Sequence, residues 1–158
     1  MVYYDLLLRV VAENVTSIGI DNVNYSWILE VKCNCGNVHT AEFTETDEVE
    51  AESSKSGTFN FIKKCKECNQ TMTISVYNKS AKNIDCNKQK QLFCTFDCRN
   101  CTPVNWKPSP GLVLVSESGS TFKDVELSED WTEYDEKGEY PLSIEKWEIE
   151  FERNKNLK

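Results

Sequence analysis

Two short cysteine-bearing stretches carry the clearest chemistry in the chain: Cys33-Asn34-Cys35-Gly36 and, some thirty residues later, Cys65-Lys66-Glu67-Cys68-Asn69. A closely spaced cysteine pair supplies two soft sulfur ligands from one tight turn. Two such pairs complete the tetrahedral shell that zinc prefers, with Zn–S bonds of about 2.3 Å. The residue after the second cysteine of such a turn often needs positive φ, so that backbone N–H groups can aim at sulfur. Gly36 accepts that conformation freely, and Asn69 is among the few other residues that tolerate it. Lys32, Lys63, Lys64 and Lys66 stand close in sequence and would partly offset the double negative charge of a Zn(Cys)4 centre. The expected metal ligands are Cys33, Cys35, Cys65 and Cys68, holding one structural Zn2+. The first pair is spaced C-x-C, tighter than the usual C-x2-C, and if Cys33 fell short, His39, the only histidine, would be the natural replacement.

The other four cysteines read differently. Cys98 and Cys101 have metal-ligand spacing, and Cys86 and Cys94 stand upstream. A faint internal repeat aligns residues 6–20 with 92–106, pairing Asn14 with Asn100 and Thr16 with Thr102. It sets Cys94 against Leu8, Cys98 against Ala12 and Cys101 against Val15. All three counterparts are apolar, and cysteine packs well as a small hydrophobe. Core filling is the expectation. A second echo sets SKSGTF (54–59) beside ESGSTF (117–122).

No catalytic set accompanies the cysteines. His39 is the sole imidazole and no nucleophile elbow surrounds a serine. A four-cysteine shell leaves no open position for an activated water. The chain is therefore not expected to be an enzyme. At 158 residues with 39% hydrophobic and 28% charged residues it has an ordinary globular composition. A net charge of −8 disfavours nucleic acid and anionic membrane as partners. The apolar run Leu6–Val11 lacks the flanks of a secretory signal and is far shorter than the roughly 20 residues of a membrane span. A reducing, cytoplasmic setting suits paired cysteines that bind metal.

The elements that must position these thiols read as strands. Trp27, Leu29 and Val31 alternate with polar neighbours; so do Met72, Ile74 and Val76, and Trp147, Ile149 and Phe151. Further strands are expected over 3–13, 38–44, 58–63, 92–99, 112–116 and 121–127, and no segment sustains a helical period. SWILEVK runs into Cys33 and FNFIKK into Cys65, so the pairs belong at strand ends. Loops are expected over 45–56, 78–91, 103–111 and 130–138. The fold expected is all-β: a single compact unit (1–158) whose pseudo-symmetric halves, 1–80 bearing zinc and 81–158, form a sandwich or a partly open barrel. In the acidic stretch 130–136, Trp131 would cap the core while the carboxylates stay solvated.

CNCG, SGTF-x4-KCKEC, Asp97-Cys98-Arg99, PVNW (103–106) and DWTEYDEK (130–137) follow one another along the chain. In this order they resemble the eukaryotic family of CXXC-motif-containing zinc-binding proteins, with DWTEYDEK the most specific string. The resemblance implies two pseudo-symmetric β halves with a four-cysteine zinc site in the first only, on Cys33, Cys35, Cys65 and Cys68. It places Cys98 in a family motif without making it a ligand, and it carries no established activity. The role expected is a monomeric binding or adaptor module with a protein partner. The alternative is a thiol-based redox or metal-transfer protein.

Overall fold

The computed structural model describes residues 2–50, 57–127 and 131–157. No helix occurs among them. The strands are β1 (Val2–Glu13), β2 (Val15–Ile20), β3 (Trp27–Cys33), β4 (Val38–Phe43), β5 (Val49–Glu50), β6 (Thr58–Phe59), β7 (Phe61–Lys64) and β8 (Thr71–Val76). They continue as β9 (Ile84–Asp85), β10 (Gln91–Arg99), β11 (Cys101–Lys107), β12 (Leu112–Ser116), β13 (Thr121–Val125), β14 (Thr132–Asp135) and β15 (Tyr140–Asn154).

Six strands form the largest sheet, in the order β14-β15-β1-β10-β8-β7. Two smaller sheets, β11-β3-β4 and β13-β12-β2-β9, close over it, and β5 pairs with β6. The result is all-β, with a half-barrel wrapped around one core. The three larger sheets each draw strands from both 1–80 and 81–158, so the two halves interleave. Exchanging β1 with β10, β2 with β11, β3 with β12, β4 with β13, β7 with β14 and β8 with β15 reverses the order of the six-stranded sheet. The same exchange converts β11-β3-β4 into β2-β12-β13.

Sequence explains the main elements. On β3, Trp27, Leu29, Val31 and Cys33 are buried while Lys32 between them is exposed, the period of a strand with one covered face. Trp27 sits against Phe93, Phe96 and Trp106 at ring-centroid distances of 5.6, 5.3 and 6.2 Å. Removing a fully buried ring of this size costs about 3–5 kcal/mol. The register of β1 on β10 jumps between Leu6 and Leu7, which face Cys94 and Leu92 and leave Phe93 as the extra residue. That bulge lets Phe93 and Cys94 both turn inward despite being neighbours.

Several expectations need correction. The stretch 103–111, expected as a loop for its three prolines, gives its first five residues, 103–107, to β11. Proline cannot donate to a ladder, yet β11 is an edge strand and its register slips between Pro103 and Asn105. Part of the acidic stretch forms β14, and its Asp135 is only 2% exposed, contrary to the expectation of solvated carboxylates. Trp131 does pack partly buried on the core; Asp130 lies outside the described residues. Trp147, Ile149 and Phe151 also touch the core but stay half-buried. The echo between 54–59 and 117–122 has no topological counterpart: Thr58–Phe59 is β6, whereas Thr121–Phe122 opens β13, and residues 54–56 lie outside the described residues.

Candidate metal centre

Cys33 ends β3 and Cys65 follows β7, so the two cysteine turns project from different sheets at the same end of the molecule. In the first turn the Cys33 amide donates to the Asn37 carbonyl and the Gly36 amide to the Cys33 carbonyl, both at 2.8 Å. Gly36 has φ +102°, and a Cβ there would meet nothing within 4 Å; the demand is conformational, not spatial. In the second turn the Cys65 amide donates to Gln70 at 2.9 Å and the Asn69 amide to Cys65 at 2.8 Å, with Asn69 at φ +63°. Both residues take the left-handed conformation expected of them.

These turns bring four sulfurs together. The Sγ atoms of Cys33 and Cys68 are 3.4 Å apart, those of Cys35 and Cys65 are 3.7 Å apart, and all four lie within 4.8 Å of one another. Zn–S bonds of about 2.3 Å in a tetrahedron set sulfurs about 3.8 Å apart. The cluster therefore fits one structural zinc ion, bridging the three-stranded and six-stranded sheets. The short first pair does reach: Cys33 belongs to the cluster and His39 does not. His39 lies on β4 against Cys65 instead, where its imidazole helps to hold that thiol low.

Four thiols this close cannot ionise together without a cation. The Cys68 and Glu67 amides, then His39 and Cys35, lower Cys65 to about 6 against the opposing effect of burial. The Gln70 amide pulls Cys68 down, but the thiols of Cys33, Cys35 and Cys65, with burial, push it up to about 12. Splitting of this kind is the mark of like charges sharing one site, and a divalent cation removes it. Lys32, Lys63, Lys64 and Lys66 are all exposed around the cluster. With Asn37, Val38, His39 and Glu67, the last three of them line a groove of about 410 Å³.

The remaining cysteines lie outside the cluster. Cys98 and Cys101 are buried; Cys101 faces Cys33 across the β11–β3 pairing without joining the four. Cys86 is pushed up to about 11 and Cys94 to about 12, both chiefly by burial, as in inert packed thiols. Leu8, Ala12 and Val15, the repeat counterparts of Cys94, Cys98 and Cys101, are buried too. A polar cluster not anticipated from the sequence joins Asp135 to Ser116, Ser118 and Ser120 at the opposite tip. Among the described residues no helix is long and apolar enough to cross a membrane.

Comparison with known proteins agrees with this geometry. The chain is 33% identical to the Drosophila melanogaster UPF0587 protein CG4646, over 96% of this chain and 97% of that protein. It is 31% identical to the Bos taurus CXXC motif containing zinc binding protein, over 89% and 91%. The crystal structure of C1orf123 superposes with TM-score 0.86 at 28% identity, covering 96% of this chain and 99% of that one. A hypothetical protein from Plasmodium falciparum gives 0.80 at 26%, covering 98% and 100%. The profile of one family spans residues 5–152, and on that match the chain belongs to the eukaryotic CXXC motif containing zinc binding proteins.

Proposed function

We propose that the protein is a zinc-stabilised binding module in which Cys33, Cys35, Cys65 and Cys68 supply all four metal ligands. The observation that carries this is the convergence of four thiols from two turns on two different sheets. A shell filled by protein sulfur has no open position, so the ion is structural and no catalytic step is assigned to it. Metal binding free energy then becomes folding free energy. The groove beside the cluster suits a protein partner: Lys63, Lys64 and Lys66 give it positive charge, and Val38 is 60% exposed at its edge. A partner presenting acidic side chains with a small apolar contact fits that lining. A monomer in a reducing, cytoplasmic setting is the state proposed, with neither nucleic acid nor membrane bound, in keeping with the charge of −8. Descent from a duplicated six-strand unit is proposed on the exchange symmetry of the strand orders.

The second reading, a thiol-redox or metal-transfer protein, draws on the exposure of Cys35 and the partial exposure of Cys68. Native mass spectrometry of freshly purified protein separates the two. One zinc per chain that survives a competing chelator supports the module; reversible loss of two hydrogen atoms per disulfide when oxidised glutathione accepts the two electrons and two protons, or rapid metal exchange, supports the alternative. Charge reversal at Lys63, Lys64 and Lys66 should abolish capture of the partner while leaving metal content intact, and unchanged capture would refute the groove.

A further inference from the structure

The exchange that relates the strands also relates the two tips. Cys33-Asn34-Cys35-Gly36 between β3 and β4 corresponds to Ser116-Glu117-Ser118-Gly119 between β12 and β13. Cys65-Lys66-Glu67-Cys68-Asn69 between β7 and β8 corresponds to Asp135-Glu136-Lys137-Gly138-Glu139 between β14 and β15.

The backbone bonds repeat one by one. Gly119 donates to Ser116 at 3.0 Å as Gly36 does to Cys33, and Ser116 to Ser120 at 2.9 Å as Cys33 to Asn37. Glu139 donates to Asp135 at 2.8 Å as Asn69 does to Cys65. Gly119 and Glu139 have φ +89° and +58°, beside +102° and +63° at Gly36 and Asn69. Even the struts agree. Asn14 and Asn100, at φ +62° and +61°, donate to Pro141 at 2.7 Å and Thr71 at 2.8 Å, while Glu117 and Asn34 donate to their carbonyls.

At the second tip the Asp135 carboxylate stands amid donors. Ser116 Oγ (2.7 Å) and Ser118 Oγ (2.6 Å) donate to Oδ2; Ser120 Oγ (3.1 Å), the Lys137 amide (3.1 Å) and the Gly138 amide (3.3 Å) donate to Oδ1. The four positions that hold thiols at the first tip hold Ser116, Ser118, Asp135 and Gly138 here. Where the fourth cysteine would stand, Gly138 has no side chain, and a Cβ there would run into the ring of Tyr140.

We propose that this tip is the metal centre's counterpart: hydrogen bonds to Asp135 clamp β12–β13 to β14–β15 as thiolate–metal bonds clamp β3–β4 to β7–β8, on a backbone that still fits a tetrahedral thiolate site. The inference rests on the zinc reading of the first tip for its second half only. A full-length variant carrying Ser116→Cys, Ser118→Cys, Asp135→Cys, Gly138→Cys and Tyr140→Gln should bind two zinc ions per chain where the unmodified protein binds one. Cobalt substitution should double the visible absorbance of tetrahedral cobalt thiolate. A folded variant that still binds one ion overturns the geometric claim.

The clamp itself is judged in the native chain by Asp135→Asn with amide exchange. Exchange at Ser116, Ser120, Gly138 and Glu139 should quicken by at least about tenfold, with Cys33, Gly36 and Asn69 unchanged. Chelation should give the reverse pattern. No local change on Asp135→Asn overturns the clamp whether or not the five-fold variant folds. An unmodified chain that binds no zinc would sink the zinc reading and leave the clamp to the exchange result.

Discussion

At one end of the molecule four thiols converge from two turns; at the other a single carboxylate gathers three serine hydroxyls and two amides on the same backbone frame. The polarity is inverted, since a cation among anionic sulfurs answers an anion among neutral donors. The surface follows: exposed Lys63 and Lys66 at the first tip correspond to exposed Glu133 and Glu136 at the second. What the difference teaches is that strand pairing and left-handed turn residues set the frame, and the chemistry that closes it is separable from them. The two closures also have different vulnerabilities. One depends on metal and on reduced sulfur, the other on the ionised state of one side chain.

The largest effect should come from the first tip. Chelation, or Cys68→Ser, is expected to lower the melting temperature by more than about 10 °C, because the binding free energy of a structural zinc is a large part of folding stability. A melting curve unmoved after verified metal removal would erase the contrast between the ends.

Acid probes the second tip. Hydrogen bonds from Ser118 first, then from Ser116, the Gly138 amide and Ser120, hold Asp135 well below the usual carboxylate range. With the folded value depressed, its contribution is complete above the unfolded value near pH 4 and drains away as pH falls below it. In metal-free protein, chemical-denaturation midpoints from pH 6 to pH 3 should fall, and Asp135→Asn should be less stable at neutrality with a flatter dependence. Parallel slopes would show that Asp135 holds nothing.

A symmetric pair sharpens the frame itself. Asn14→Ala and Asn100→Ala each place alanine at positive φ and remove one side-chain bond, at a cost of about 1–3 kcal/mol, similar at the two sites. Strongly unequal losses in urea titration would break the equivalence of the struts. The smallest effect belongs to the lysines. Lys63→Glu with Lys66→Glu should change stability by less than about 1 kcal/mol in the zinc-loaded protein, since exposed charges contribute little.

Much of this was legible before any coordinates. Cysteine spacing marked the four thiols that converge, and Gly36 and Asn69 declared their backbone conformation because few residues tolerate it. Alternation in Trp27–Val31 announced a covered face. The rest was hidden for physical reasons. Pro103 argues against a strand until the strand is known to lie at an edge. A run such as Glu133-Tyr134-Asp135-Glu136 looks uniformly solvated, and only partners distant in sequence reveal that Asp135 is buried. The legible trace was Ser116-x-Ser118-Gly119 echoing Cys33-x-Cys35-Gly36, whereas the stronger string match, SGTF against GSTF, pointed to unrelated strands. Alternation also names faces without naming partners, so the pairing of β1 with β10 and β15 could not be read.

That pairing governs how the newborn chain must behave. Of the described strands β1 is made before the others, yet one edge waits for residues 91–98 and the other for residues 143–154. At about 5–20 residues per second the second wait lasts roughly 7–30 seconds. Throughout it Leu6, Leu8 and Val10, fully covered at the end, sit on a strand open to any other extended segment nearby. Among the described strands, the one made before the rest is sheltered on both sides only when β15 is complete, so chaperone capture of nascent chains should concentrate on it.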